Sequence, residues 1–397
     1  MSANANSKTF AQRLIDWQQD AGRHDLPWQS SPPDAYRVWL SEIMLQQTQV
    51  QTVIPYFHRF IHRFPNLESL ANAGEQDVLA LWSGLGYYQR GRNLLACAKE
   101  IQTRFGGRFP DNAETLATLP GIGPSTAAAI ASVVYQERVA ILDGNVKRVL
   151  ARVICADAPW GSPALEKQLW QEAQARLPQH IEQMPRYTQA IMDLGAMVCR
   201  AKNPVCHQCP VRDDCRANAT QTVADFPKPK IKRATPTRQA HWAVLCNADG
   251  VWLMQQATQG IWPGLWVPWR LDLQAMPDDW ERTAASLVRV IEIKHAFTHY
   301  KLDISAGVIV WPQGSATRSS VVNKSDKGIS EAKQARHRIS KESLPDGAPA
   351  DLLFFAWSDA FALPLPAPVR TLLTKLVPFE TVSGVELRKS NRQQSAV

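Results

Sequence analysis

The chain has 397 residues, 45% of them hydrophobic and 20% charged, so most of it should fold into compact domains. A single core rarely grows to this size, and two domains are therefore expected. The net charge of +8 favours a polyanionic partner. No stretch approaches the roughly 18 consecutive apolar residues of a membrane span, and the N-terminus lacks an apolar signal core. We therefore expect a monomer with no membrane partner, located in a bacterial cytosol or nucleoid.

Residues 9–221 alternate apolar stretches of helical period with short breaks at proline and glycine, which predicts an all-α domain. The predicted helices are Tyr36–Val53, Val78–Tyr88, Asn93–Phe105, Asn112–Thr118, Ala127–Tyr135 and Val146–Ile154. Residues 222–240 are rich in proline and lysine, and this composition predicts a linker.

Residues 241–378 have a strand-like period and predict a second domain of the α+β class. Two strands flank an Asn-Ala-Asp-Gly turn that is typical of a hairpin. The other predicted elements are strands at Leu302–Trp311 and Asp351–Trp357 and a helix at Val369–Leu376. Within this domain, residues 313–350 have little periodicity and predict a mobile insertion. The polar residues 379–397 predict a disordered tail.

The segment LPGIGPST, which ends at Thr126, separates two predicted helices. Pro120 ends the first helix, and the neighbouring glycines permit a tight turn. We expect the N–H groups of Ile122, Gly123 and the following turn to point outward, where a phosphate fits. Asp143 follows Gly123 by 20 residues and should begin a third helix. An ordinary helix–helix turn and an ordinary helix cap remain the alternatives.

Two carboxylates could act as an acid and a base. Glu42 shares a predicted helix face with apolar residues, so partial desolvation should raise its pKa and suit it to a general acid. Asp143 lies at a predicted helix N-terminus, which should lower its pKa. Such a pair suits glycosidic bond cleavage, in which one group protonates the leaving group and the other stabilises a sugar cation. The alternative for Glu42 is an ion pair with Arg37.

Four strings, LSEIMLQQTQV, LWSGLGYYQRGRNL, LPGIGPSTAAAI and ILDGNVKRVLARV, closely resemble the MutY-type adenine DNA glycosylases. These enzymes belong to the helix-hairpin-helix superfamily of endonuclease III, and the resemblance covers most of residues 25–220. It implies base excision repair of double-stranded DNA containing A·8-oxoguanine or A·G mispairs. It also implies that Glu42 protonates the adenine ring and that Asp143 stabilises the sugar cation while water attacks.

The resemblance also implies which residues contact DNA. Gln47 and Tyr87 should wedge into the duplex beside the mispaired base, with Leu45 nearby. At least one of Tyr87 and Tyr88 should instead belong to the core. The hairpin contacts are expected at Leu119, Gly121, Gly123 and Ser125.

Ser125 stands where the related endonuclease III enzymes carry a lysine that forms a Schiff base and cleaves the strand. A hydroxyl group cannot perform that reaction. The sequence therefore predicts a monofunctional glycosylase that leaves an abasic site.

Four cysteines lie within 17 residues, at Cys199, Cys206, Cys209 and Cys215. In a reducing compartment this pattern favours a metal site over disulfides. The residues alone leave zinc and a [4Fe-4S] cluster both open. The spacing resembles the iron–sulfur loop of the endonuclease III and MutY enzymes, and this resemblance implies a [4Fe-4S] cluster. Arg200 and Lys202, in the same loop, can reach phosphates.

The segment from Trp262 to Pro268 resembles a strand of Nudix domains. Residues 278–285 lack the glutamate-rich helix that holds magnesium in Nudix hydrolases, so nucleotide hydrolysis is not expected. In the MutY-type enzymes this domain recognises 8-oxoguanine. The resemblance places that recognition at Phe297, Thr298 and His299.

Three alternative functions remain. They are a bifunctional endonuclease III-like enzyme, a lesion-binding protein without catalysis, and a Nudix hydrolase with a DNA-binding appendage. Ser125 and the second domain argue against the first, and the retained Glu42 and Asp143 argue against the second. The missing acidic helix argues against the third.

Overall fold

The computed structural model describes residues 8–230, 234–256, 261–271, 287–297, 299–310, 349 and 351–377. The chain divides into two units. The first comprises Met1–Leu81 and Gln89–Arg233, and the second comprises Trp82–Tyr88 and Ala234–Val397. The predicted tail lies outside the described residues, as does the predicted insertion except for residue 349.

The described part of the first unit contains helices and no strand, as the sequence predicts. Its α-helices are α1 (Phe10–Ala21), α2 (Ala35–Leu45), α3 (Val50–Arg63), α4 (Leu67–Ala71), α5 (Glu75–Trp82), α6 (Gln89–Arg104), α7 (Ala113–Leu116), α8 (Pro124–Tyr135), α9 (Gly144–Ile154), α10 (Pro163–Ala175), α11 (Met184–Asp193) and α12 (Arg216–Ala219). A π-helical turn, Leu194–Val198, follows α11. One apolar core joins α1, α8, α9, α10 and α11.

The single helix predicted over Tyr36–Val53 is wrong, because the structure breaks it into α2 and α3. The break spans residues 46–49, and Gln47 within it has a φ of 57°. Apolar periodicity continues across the break, so the sequence pattern alone does not reveal it. Gln47 therefore lies outside both helices, and its side chain is exposed.

The second unit contains a mixed sheet with helices, which confirms the α+β prediction. The strands are β1 (Thr237–Cys246), β2 (Gly250–Gln255), β3 (Trp266–Val267), β4 (Trp269–Leu271), β5 (Leu287–Ala296), β6 (Lys301–Val310) and β7 (Leu353–Ala356). They are followed by α13 (Trp357–Ala362) and α14 (Ala367–Leu376). The main path of the sheet is β3-β2-β1-β6-β5, while β4 pairs with β1 and β7 pairs with β2. Strands β1 and β6 are parallel, and the other pairs are antiparallel.

Element boundaries in this part of the chain differ from the predictions by a few residues. Strand β1 starts at Thr237, inside the predicted linker, because Thr237–Ala240 already pairs with β6. The strand predicted to reach Trp357 ends at Ala356, and α13 begins at Trp357. Among the described residues, no helix has both the length and the apolar character needed to cross a membrane.

Candidate active site and iron–sulfur loop

Glu42 lies on α2, whose neighbouring side chains Val38, Trp39 and Ile43 are buried. The Glu42 side chain is itself half-buried. Burial raises its pKa to about 7, and the negative charge of Asp143 adds to the rise. The buried setting of Glu42 thus agrees with the predicted direction, and the two carboxylates lie within electrostatic reach of each other. Arg37 is engaged elsewhere, since it donates to the Pro27 carbonyl at 3.3 Å and lies over the Phe57 ring.

Asp143 is the N-cap of α9, as predicted, and its Oδ1 accepts the Val146 N–H at 2.7 Å. The expected lowering of its pKa is wrong. Burial raises the pKa of Asp143, and the hydrogen bonds from Val146 and Asn145 together with the charge of Arg148 offset only part of that rise. The helix terminus does stabilise the carboxylate, but desolvation of the charge is the larger effect here.

A chain of hydrogen bonds leads from Asp143 to the cysteine loop. The Asn145 amide donates to Asp143 at 3.3 Å, and its Oδ1 accepts from Arg148 at 2.9 Å. Arg148 also donates to the Gly195 carbonyl at 2.7 Å and to the Cys199 carbonyl at 2.8 Å. Gly195 packs directly against Asn145 and leaves no room for a side chain, because a Cβ at Gly195 would lie 2.6 Å from the Asn145 Cβ. The start of α9 is therefore held against the π-helical turn that precedes Cys199.

The hairpin between α7 and α8 exposes a small set of backbone N–H groups. Gly123 caps α8 without a side chain, and Pro124 occupies the first helical turn. Across the described residues, the N–H groups of Gly123, Ser125 and Thr126 donate no hydrogen bond to protein. The expectation for Ile122 is wrong, since its N–H donates to the Leu119 carbonyl at 3.2 Å. The free donors thus begin one residue later than predicted.

The hairpin side chains also differ in part from the expectations. Leu119 is only 3% exposed, so its side chain belongs to the core and not to the exposed surface of the hairpin. Gly121 is exposed and has a φ of 77°, the left-handed region that favours glycine. The Ser125 hydroxyl accepts the Leu142 N–H at 3.1 Å. It therefore ties the hairpin to the residue before Asp143, a contact that the sequence does not reveal.

Both predicted wedge residues have strained backbones. Gln47 has a φ of 57° and an exposed side chain, while Tyr87 has a φ of 49° and is 52% exposed. Left-handed geometry costs a non-glycine residue on the order of 1 kcal/mol or more, and such strain is often found at functional sites. Tyr88 is buried, in keeping with the expectation that one of the two tyrosines belongs to the core. Leu45 is half-buried at the end of α2.

The four predicted metal ligands face one cavity. Cys199, Cys206, Cys209 and Cys215 line it, and no carboxylate or imidazole is among the other lining residues, which are Arg152, Val198, Arg212, Asn218 and Val223. All four thiols are free of disulfides. Four thiols that face one cavity, with cationic rather than anionic neighbours, fit an iron–sulfur cluster held by thiolates.

Arg152 supports this cavity from α9. It is 3% exposed, and its Nη1 lies 3.3 Å from the Cys199 sulfur and 2.8 Å from the Arg200 carbonyl. Its Nε donates to the Phe226 carbonyl. The side chains of Arg200 and Lys202 are exposed, and Arg200 donates to the Asn203 carbonyl at 3.1 Å.

In the second unit, aromatic rings gather around Phe297. Its ring stacks on Tyr300 at 4.6 Å and contacts His295 edge-on at the same distance. Burial lowers the pKa of His295, which favours its neutral form. His299 is exposed, whereas Thr298 lies outside the described residues. Phe297 is half-buried and fixed by its neighbours, and His299 is accessible to a ligand.

Comparisons with known proteins extend over both units. Residues 40–174 match the HhH-GPD superfamily of base excision DNA repair proteins, and residues 199–215 match the iron–sulfur binding domain of endonuclease III. Residues 241–375 match the NUDIX domain. The adenine DNA glycosylase of Buchnera aphidicola subsp. Acyrthosiphon pisum (strain APS) is 36% identical, over 76% of this chain and 87% of its own. This chain belongs to the adenine DNA glycosylase family.

Two further relatives carry the same name. The adenine DNA glycosylase of Buchnera aphidicola subsp. Baizongia pistaciae (strain Bp) is 32% identical over 94% of this chain and 98% of its own. The human adenine DNA glycosylase is 33% identical over 75% of this chain and 66% of its own. The chain is therefore a DNA-binding glycosylase that removes adenine in base excision repair. The predicted fold class, a helical glycosylase domain followed by a Nudix-like domain, and the predicted iron–sulfur cluster are confirmed.

Sequence reasoning missed three arginines that shape this site. They are Arg90, Arg148 and Arg152, each of which donates to backbone carbonyls far away in the chain. Arg148 and Arg152 are four residues apart on the helix that follows Asp143, and this spacing could have indicated that both lie on one face of that helix. Nothing in the local sequence around Arg90 indicates its partners, because they lie more than 40 residues earlier.

Proposed function

We propose that this glycosylase acts as a monomer on adenine paired with 8-oxoguanine or guanine and leaves an intact abasic strand. The proposal rests on the carboxylate pair Glu42 and Asp143, in which the pKa of Glu42 is raised to about 7. Glycosidic cleavage needs a proton for the leaving group and a negative charge beside the sugar cation. Glu42 donates its proton to the adenine ring, which then departs as a neutral base. Ionised Asp143 stabilises the cation until water adds to the sugar, and the proton that this water loses restores the acid form of Glu42.

The abasic product follows from the side chain at the hairpin. Strand cleavage by a glycosylase needs an amine that attacks the sugar and forms a Schiff base. Ser125 provides a hydroxyl group instead, and this hydroxyl accepts the Leu142 N–H. The base is released to water, and the sugar–phosphate backbone stays whole.

The hairpin binds a DNA phosphate through the N–H groups of Gly123, Ser125 and Thr126. Gln47 and Tyr87 enter the duplex and fill the space of the extruded base, with Leu45 beside Gln47. Arg200 and Lys202, from the iron–sulfur loop, contact the backbone. The four cysteines would hold the cluster, and its binding would stabilise the loop that carries these two cations.

We expect Gly123→Ser to weaken duplex binding about tenfold without loss of stability. A serine side chain caps a helix better than glycine, but its hydroxyl would bond the N–H groups that should hold the phosphate. Space allows it, since a Cβ at Gly123 meets no atom within 4 Å. Thermal unfolding and fluorescence anisotropy with a mispair-free duplex measure the two quantities. Unchanged DNA affinity would contradict the phosphate site.

Gly121→Ala provides the contrasting variant for that experiment. At Gly121 a Cβ would lie 2.7 Å from the Asn93 Cβ, and φ is 77°. We expect this substitution to lower both stability and DNA affinity, because the hairpin itself must shift.

We propose that the second domain reads the base opposite adenine through Phe297, Thr298 and His299. The proposal is supported by the exposed His299 next to the Phe297–Tyr300 stack. His299→Ala should reduce the preference for A·8-oxoguanine over A·G about tenfold, since one hydrogen bond to the lesion is lost. The ratio of single-turnover rates on the two duplexes measures the preference. His58→Ala, at an exposed histidine on α3, is the control and should leave the ratio unchanged.

A comparison of duplexes that differ in one base tests the mispair specificity. Adenine should be released from A·8-oxoguanine and A·G pairs under single-turnover conditions, and an A·T pair should stay intact. Equal rates on all three duplexes would contradict the proposed specificity.

A further inference from the structure

We propose that Arg90 is a positioning residue that fixes the turn carrying Gln47. Arg90 lies in the first turn of α6 and is 8% exposed. Its guanidinium reaches the C-terminal end of α2, the helix that carries Glu42. The inference rests on the proposed role of Gln47 as a wedge in the duplex.

Arg90 satisfies carbonyl groups that α2 leaves without helical partners. The two N–H groups of its Nη1 are shared among the carbonyls of Ile43 at 3.0 Å, Met44 at 2.8 Å and Gln46 at 2.7 Å. Its Nη2 donates to the Thr48 hydroxyl at 3.2 Å. The last carbonyls of any helix need outside donors, and a cation there also complements the helix dipole. One guanidinium thus holds the chain on both sides of Gln47.

This arrangement explains how Gln47 keeps a φ of 57°. A glutamine in the left-handed region is strained, and it stays there only when its surroundings over-determine the backbone. The Gln46 carbonyl and the Thr48 hydroxyl are both bound to Arg90, so the peptide groups around Gln47 cannot rotate freely. The Gln47 side chain remains exposed and free to enter DNA.

The same turn also touches the phosphate-binding hairpin. The Gln46 amide lies 3.5 Å from the Gly121 carbonyl and 3.4 Å from the Thr126 hydroxyl. Arg90, through the Gln46 carbonyl, therefore fixes the wedge relative to the hairpin. A wedge that is preorganised in this way lowers the cost of keeping adenine out of the stack.

A double-mutant cycle tests whether Arg90 acts through Gln47. Arg90→Met, Gln47→Ala and the double variant are compared by single-turnover adenine release from an A·8-oxoguanine duplex. We expect each single variant to be slowed at least tenfold, and the double variant to be no slower than the slower single variant. Lys99→Met, at an exposed cation of the same helix, is the matched control and should release adenine at the rate of the parent protein.

A spectroscopic readout separates positioning from loss of structure. A duplex with 2-aminopurine in place of adenine brightens when that base leaves the stack. In an Asp143→Asn background, which keeps the base attached, Arg90→Met should bind the duplex and give less than half of the parent's brightening. If Arg90→Met does not fold, Arg90→Lys and Thr48→Val take its place. For both variants, the rate of adenine release and the brightening of 2-aminopurine should lie between those of the parent protein and those of Gln47→Ala.

The outcomes distinguish two failures. If Gln47→Ala slows release but the Arg90 variants do not, or if the effects multiply in the double variant, the role of Arg90 is overturned while the wedge stands. If Gln47→Ala changes neither rate nor brightening, the wedge itself is wrong, and the inference about Arg90 falls with it.

Discussion

Glu42→Gln is expected to slow adenine release by about 10²–10⁴-fold, the usual contribution of a general acid. Glutamine keeps the size and polarity of the side chain on α2 but has no proton to give the adenine ring. Single-turnover release from an A·8-oxoguanine duplex measures the loss. The duplex affinity and the melting temperature should not fall, because among the described residues no ion pair or hydrogen bond involves the Glu42 carboxylate. A fully active variant would contradict the role of Glu42.

The pH profile follows from the same residue. The acid must be protonated to act, and burial raises the pKa of Glu42 to about 7. The rate of base release should therefore be high below about pH 7 and fall as the pH rises through that value. On the acidic side it should fall when Asp143, whose pKa is also raised by burial, takes up a proton. The two limbs belong to the coupled pair, and Glu42→Gln should remove the basic limb.

The second large effect is expected for Asp143→Asn, which should slow release by about 10²–10³-fold or more. Asparagine caps helices as well as aspartate does, so α9 should begin at the same residue. The substitution thus removes the charge beside the sugar and keeps the local fold. Thermal unfolding and duplex binding are the control measurements, and both should stay near those of the parent protein. Release at the parent's rate would show that the sugar cation needs no charge from Asp143.

Structural features that depend on local geometry could be predicted from the sequence. Asp143 caps a helix because its side chain reaches the Val146 N–H three residues later. Glu42 lies on a helix face whose neighbours are apolar, and this pattern correctly indicated a raised pKa. The close spacing of the four cysteines likewise predicted a shared site, and all four thiols line one cavity. In each case the relevant neighbours are close in the chain or follow a regular period.

Properties that depend on distant segments could not be predicted in this way. The pKa of Asp143 rises because the folded chain buries it, and no sequence pattern around residue 143 predicts that burial. The break between α2 and α3 is supported by Arg90, more than 40 residues later in the chain. Leu119 looked accessible in a hairpin, but it packs in the core. Local propensity is a weak guide where tertiary contacts decide the conformation.

The most direct test is single-turnover adenine release from a duplex with one A·8-oxoguanine pair, analysed with and without hot alkali. We expect strand cleavage only after alkali, because release of the base leaves an intact abasic strand. Strand cleavage without alkali would contradict the monofunctional reaction that Ser125 implies. A duplex that is bound tightly but releases no adenine under either condition would contradict catalysis by Glu42 and Asp143.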